Sequence, residues 1–196
     1  MRVEDTALDG VKLLRPKRIT DIRGYFQESW NDRVMADLGL PLTFVQENQS
    51  FSAKSGTLRG LHYQAPPAAQ GKLVRVTTGE ILDVAVDVRA GSPTYGQYVS
   101  AVLNASSGWM MWVPEGFLHG FVTRAHATTV QYRTTDFYAP DCDGAVAFDD
   151  PDLAIDWGID LDAAITSPKD ADAPRLRDWV SPFSVSPASR AQEVPA

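Results

Sequence analysis

Three short segments concentrate the side chains that can move protons or hold charge. Residues 59–64 (RGLHYQ), 114–121 (PEGFLHGF) and 131–138 (QYRTTDFY) set Arg, His, Gln, Glu and Tyr beside glycine and aromatic residues. A histidine titrates near neutral pH, which suits it to general-base work, the more so when a carboxylate orients its other ring nitrogen. His62 is therefore a candidate base or, alternatively, a hydrogen-bonded histidine of a sheet wall. Lys72 opens a strand after Gly71, where an inward ammonium can hold an oxyanion as charge develops and an outward one merely reaches for water. Tyr132 can deliver a phenolic proton or serve as a wall aromatic. Pleating sets Arg59 and His62, three residues apart, on opposite faces; both reach one pocket only if the strand bulges at Gly60.

Metal chemistry is the competing possibility. In GWMMWVPEGFLHG, the positions of Gly108, Pro114, Gly116 and His119 have the spacing of the second cupin metal pattern. The first pattern needs a His-x-His pair followed by Glu, but the chain reads His62-Tyr63-Gln64 and then APPAAQGK, with no carboxylate. Only His62 and His119 remain as good imidazole ligands, with His126 in the mixed stretch TRAHAT. Catalytic transition-metal sites usually take three protein ligands. The expected metal is none, and the chemistry left is proton transfer.

The elements that must position these residues read as short strands. KLVRV (72–76) and EILDVAVDV (80–88) flank a turn at Gly79. In the second, Leu82, Val84, Val86 and Val88 share one face, and Asp83, Ala85 and Asp87 the other. Further strands are expected at 97–103, 109–113, 117–122 and 128–135. Strands at this spacing favour a sandwich or barrel over a βαβ fold. Helix is scarce: one runs from Asn31, a suitable N-cap, to Leu38 before Gly39, and residues 151–180 suit turns or short helices. The expectation is an all-β, cupin-like barrel with short peripheral helices, a single domain over 1–180, and a flexible tail over 181–196.

Composition agrees with a soluble globular protein. The 196 residues are 44% hydrophobic and 22% charged, with 18 Lys+Arg against 25 Asp+Glu for a net charge of −7. That balance argues against nucleic acid as the partner, though converging cations can still bind an anionic substrate. One cysteine, Cys142, excludes an intramolecular disulfide framework. The acidic opening MRVEDTALDG lacks the apolar stretch of a signal peptide, and no apolar run approaches the roughly 20 residues of a membrane span. A cytoplasmic protein without membrane contact is expected.

The blocks DIRGYFQESW (21–30), FVQENQSFSAKSGTLRGLHYQAPPAAQGKLVRVTTGEILDVAVDVRAGSPTYGQY (44–98), WVPEGFLHGF (112–121), QYRTTDFYAP (131–140) and SPKDADAPRL (167–176) resemble the dTDP-4-dehydrorhamnose 3,5-epimerases. The resemblance covers nearly everything from residue 10 to 180. It implies a jelly-roll barrel that forms a homodimer, with N-terminal strands reaching the neighbouring subunit. It also implies an isomerase that needs no cofactor, inverting C3 and C5 of dTDP-4-dehydro-6-deoxyglucose to give dTDP-4-dehydro-L-rhamnose. By resemblance, His62 is the base, Asp170 orients it, Tyr132 is the acid on the opposite face of the sugar, and Lys72 steadies the enolate. His119 matches a second pocket histidine and Asp83 a buried supporting carboxylate. Arg23, Gln46, Asn48 and Arg59 match residues that hold diphosphate, sugar or nucleotide; Glu28 and Tyr138 lie near the deoxythymidine end. Ile19 stands where the family usually has phenylalanine, so it keeps apolar contact without ring stacking.

Two other readings are weighed against this one. An epimerase acting at C3 or C5 alone can keep the same base and acid. A noncatalytic sugar-binding cupin would have no need of His62, Asp170, Tyr132 and Lys72 together.

Overall fold

The computed structural model describes residues 1–185. Its strands are β1 (Arg2–Asp5), β2 (Lys12–Arg15), β3 (Arg18–Asp21), β4 (Gly24–Gln27), β5 (Gln46–Ser52), β6 (Leu58–Gln64) and β7 (Lys72–Thr78), then β8 (Glu80–Asp87), β9 (Tyr98–Asn104), β10 (Met110–Val113), β11 (Phe117–Thr123), β12 (Thr128–Thr134) and β13 (Asp143–Ala145). They form a six-stranded sheet ordered β1-β2-β10-β7-β12-β5, a five-stranded sheet ordered β13-β6-β11-β8-β9, and the separate hairpin β3-β4. Every pairing within them is antiparallel.

The expected cupin-like jelly-roll barrel is thereby corrected. Neither large sheet closes: β1 and β5 end one, β13 and β9 end the other. Alternation specifies which face of a strand is apolar, but closure depends on which distant strands share hydrogen bonds, and alternation is silent on that. The turn at Gly79 illustrates the point. Gly79 takes φ +83°, and β7 and β8 on either side of it enter different sheets instead of pairing as a hairpin.

The two large sheets share a core. Val74 and Val76 of β7, Met111 of β10 and Val130 of β12 meet Ile81 and Ala85 of β8 and Phe117 and Phe121 of β11. Each sheet is also covered on its other face. Over the five-stranded sheet, Val146, Leu153, Ile155, Trp157 and Phe183 pack on Leu82, Val84, Val86, Leu118 and Val122. Burying side chains of this size stabilises by roughly 1.5–3 kcal/mol each. Over the six-stranded sheet, Met35 of helix α1 (Asp32–Asp37) packs with Leu14, Leu73, Met110 and Trp112. The helix starts as its sequence predicts, Asn31 Oδ1 accepting from the backbone N–H of Arg33 and Val34.

The start of the expected tail is structured. Phe183 is buried in the core over the five-stranded sheet, and its carbonyl accepts from Ala90 N at 2.9 Å. The remainder of that expectation, 186–196, lies outside the described residues. Among the described residues no helix is long and apolar enough to cross a membrane.

Candidate functional site

The bulge that the spacing of Arg59 and His62 requires is present in β6. Against β11, His62 lies opposite His119 and Arg59 opposite Phe121, so Gly60 and Leu61 together face the single residue Gly120. Gly60 takes φ +132°, and a Cβ there would sit 2.6 Å from Gly120 Cα, so only glycine fits. The extra residue resets the alternation. Leu58 and Leu61 both pack outward, while Arg59 and His62 both line the cavity between the large sheets.

Asp170 comes to His62 from 108 residues away. Its segment is held by Leu58 N donating to Ile165 O and Ile165 N to Gly56 O, both at 2.9 Å. Ser167 then caps the short helix α2 (Pro168–Ala171), its hydroxyl accepting from Asp170 N at 3.2 Å, with Pro168 at the first helical position. Asp170, 3% exposed, thereby reaches His62 with Oδ1 2.5 Å from Nε2. Burial pushes its carboxyl up, but bonds and charge from His62 and bonds from Ser167 and the Gly60 N–H outweigh this and hold it below the usual carboxylate range. An ionised Asp170 accepts from Nε2–H, which fixes the tautomer and leaves the lone pair on Nδ1.

A second pair lies beside it. His119 of β11 has Nε2 2.8 Å from Oδ1 of Asp83, which is fully buried on the inner face of β8. Among the described residues no group of three or more His, Cys, Asp or Glu is arranged to hold a metal ion.

The opposite wall is the six-stranded sheet. Tyr132 pairs with Val74 on one side and Asn48 on the other, and Lys72 pairs with Thr134. Tyr132 and Lys72 therefore share the inward face of Val74 and Val130. Burial raises the Tyr132 phenol, opposed by nearby Arg59. Lys72 is half-buried, and desolvation lowers its ammonium to about 8, against the pull of Asp143 and Asp83. The cavity enclosed is about 410 Å³. Arg59, Lys72 and Lys169 line it, and the one carboxylate among its lining residues, Asp170, is bound to His62. A protein of net charge −7 thus keeps a cationic pocket.

Of the residues singled out by sequence, Arg59, His62, Lys72, His119, Tyr132 and Asp170 meet in this cavity. Gln46 and Asn48 lie beside it on β5, bonded to each other at 2.9 Å; Gln46 Oε1 accepts from Tyr138 N at 3.0 Å, and the Tyr138 ring stays exposed. Arg23 and Glu28 are not brought in. Arg23 sits at the tip of the β3–β4 hairpin, bound to Asp21, and Glu28 accepts from Asn31 Nδ2 at 3.0 Å. The cavity also contains Ser50, Phe121 and Lys169. Lys169 was within reach of sequence reasoning as the neighbour of Asp170 in SPKD; it pairs with Asp143. Ser50 carries no motif, and only the β5–β12 register reveals it.

Known proteins resemble this chain over nearly its whole length. The chain is 46% identical over 180 residues to the dTDP-4-dehydrorhamnose 3,5-epimerase of Sinorhizobium fredii, covering 90% of each. It superposes with a TM-score of 0.88 and 41% identity on the dTDP-6-deoxy-D-glucose-3,5-epimerase of Legionella pneumophila, solved in complex with dTDP-4-keto-L-rhamnose, covering 94% of this chain and 98% of that one. A dTDP-4-dehydrorhamnose 3-epimerase of Streptomyces niveus is more distant, 36% identical over 174 residues, or 88% of this chain and 83% of that protein. The family model for dTDP-4-dehydrorhamnose 3,5-epimerase matches residues 5–178, nearly the whole of the described fold, and the chain belongs to that family.

Proposed function

We infer that this protein epimerises dTDP-4-dehydro-6-deoxyglucose at C3 and C5 to dTDP-4-dehydro-L-rhamnose, and that it does so by proton transfer alone. The observation that carries the mechanism is the placement of His62 and Tyr132 on facing sheets across one cavity. The 4-keto group acidifies the hydrogens on C3 and C5. His62 removes one, and the electron pair left on carbon moves into an enolate whose charge gathers on the C4 oxygen. Lys72 holds that oxygen, since a preorganised cation in a dry pocket acts most strongly where charge develops. Tyr132 then gives a proton to the opposite face of the carbon and the configuration inverts. Solvent restores the proton to the phenol and removes the one on His62. Asp170 favours the imidazolium throughout.

Carbon-bound deuterium tests the reaction. Proton NMR of the substrate incubated with the protein in D₂O should show exchange at both C3 and C5 with formation of the L-rhamno product. Exchange at one carbon only would move the protein toward the activity named for its Streptomyces niveus relative. No exchange would leave it a sugar-nucleotide binder.

Lys72 gives the reaction a pH dependence. Its ammonium is present below about 8 and is lost above, so kcat/KM, which follows the free enzyme, should fall as pH rises through that value. Folding stability runs the other way. The native state binds this proton less tightly than the unfolded chain, so the contribution of Lys72 improves between about 8 and its ordinary 10.5. Lys72→Arg should push the alkaline limb upward; a limb unmoved in that variant would assign it to another group.

We also propose a homodimer built on the β3–β4 hairpin. Ile19, Ile22, Tyr25 and Phe26 all stand exposed on it, an apolar patch of the kind that marks an interface. A second copy covering it would bring Arg23 and Glu28 to the neighbouring pocket. Sedimentation of a fully active monomer would exclude this. Because a dTDP-sugar is an anion that does not cross a bilayer unaided, we place the enzyme in the cytoplasm; recovery in the periplasmic or membrane fraction would contradict that.

A further inference from the structure

Among the described residues, two buried side-chain oxygens lack a hydrogen-bond partner, Ser50 Oγ and Asp83 Oδ2. Such groups are uncommon in native proteins because each forfeits its bond to water without replacing it. Asp83 is at least engaged through its other oxygen, with His119. The Ser50 hydroxyl holds nothing.

Its position is specific. Ser50 lies directly opposite Val130 in the β5–β12 ladder, and directly opposed residues share a face. Val130 belongs to the core between the large sheets, so Ser50 faces inward, where it lines the cavity. Arg59 comes to the same place from the facing sheet. Its Nη2 donates to Phe51 O at 3.2 Å, and its Nε lies 3.5 Å from Ser52 Oγ. Lys72, level with Thr134, is four residues further along β12 than Val130, roughly 13 Å at 3.3 Å per residue. The cavity thus has two cationic ends, Lys72 at one and Arg59 with Ser50 at the other.

The geometry points to Ser50 as a further substrate-binding residue, whose hydroxyl donates to a phosphoryl oxygen of the substrate's diphosphate beside the Arg59 guanidinium. The assignment rests on the sugar-nucleotide reading given above. With Lys72 on the ketone oxygen, the diphosphate falls to the opposite end. There a charged acceptor satisfies a hydroxyl that the free protein leaves unpaired.

Ser50→Ala separates this role from a structural one, because the two predict opposite effects. Isothermal titration with dTDP should show affinity about tenfold weaker than wild type, the lower range for losing a bond to a charged group. KM for the dTDP-sugar should rise to a similar extent, and kcat should change far less. The melting temperature without ligand should stay level or rise, since the variant removes an unsatisfied buried group. Ser50→Thr, which keeps a hydroxyl, should recover part of the affinity. Wild-type dTDP affinity in Ser50→Ala would overturn the assignment, and if KM alone rose the hydroxyl would belong to the sugar. A lowered melting temperature with unchanged affinity would make Ser50 structural. Failure of the wild-type protein to bind dTDP would instead count against the sugar-nucleotide reading.

Discussion

His62→Asn is expected to lower kcat by ~10⁴-fold, the upper range for loss of a positioned base, while the protein stays folded. An amide has no useful basicity near neutral pH, and nothing else in the cavity replaces the imidazole from the same side. His119 is its nearest analogue, but its side chain is only 8% exposed against 31% for His62, so it is far less open to the cavity. The fold should tolerate the change because Asp170 keeps its contacts with Ser167 and the Gly60 N–H. Asp170→Asn should be milder, on the order of 10²-fold: the imidazole remains, but without the carboxylate that fixes its tautomer and favours its protonated form. Solvent-deuterium incorporation into the substrate, followed by NMR with circular dichroism as a folding control, measures both. Incorporation in His62→Asn at the wild-type rate would assign the base elsewhere.

Local patterns in the sequence located His62 and the bulge beside it better than they located the layers around them. The three-residue spacing of Arg59 and His62 demanded a bulge, and Gly60 supplies it. The alternation of residues 80–88 sorted the two faces of β8 correctly, yet its fully apolar face does not meet the opposing sheet. Leu82, Val84 and Val86 instead pack beneath Leu153, Ile155, Trp157 and Phe183. Those covering residues lie in irregular segments, where no period marks a buried face. The inner face of β8 bears Asp83 because it borders a polar cavity. Barrel closure was misread for a related reason: open edges at β5 and β9 are a property of long-range pairing. Asp170 was legible only through family resemblance, since 108 residues separate it from His62. Ser50 needed the register of two strands.

Tyr132→Phe should divide the reaction into its halves. The substitution keeps the ring and removes only the hydroxyl, so the contact of Tyr132 with the core around Val74 and Val130 survives, and binding should change little. In the proposed mechanism proton removal falls to His62, on the five-stranded sheet, and proton return to Tyr132, on the six-stranded one, so losing the second need not stop the first. Burial raises the Tyr132 phenol, which keeps it protonated across the working pH range and suits it to donate rather than accept. In the variant, His62 still forms the enolate and still returns a proton, or a deuteron after exchange, to the face it came from. Deuterium should therefore enter the substrate with retained configuration, while inversion slows by ~10²–10⁴-fold, the range for loss of a positioned acid. A tyrosine that only lined the wall would leave exchange and inversion locked at the wild-type ratio. NMR in D₂O reads both from one sample, the isotope from the lost proton signals and the configuration from the ring couplings. Wild-type inversion rates in Tyr132→Phe would remove the phenol from the mechanism and give its proton to water or to another group on the same wall.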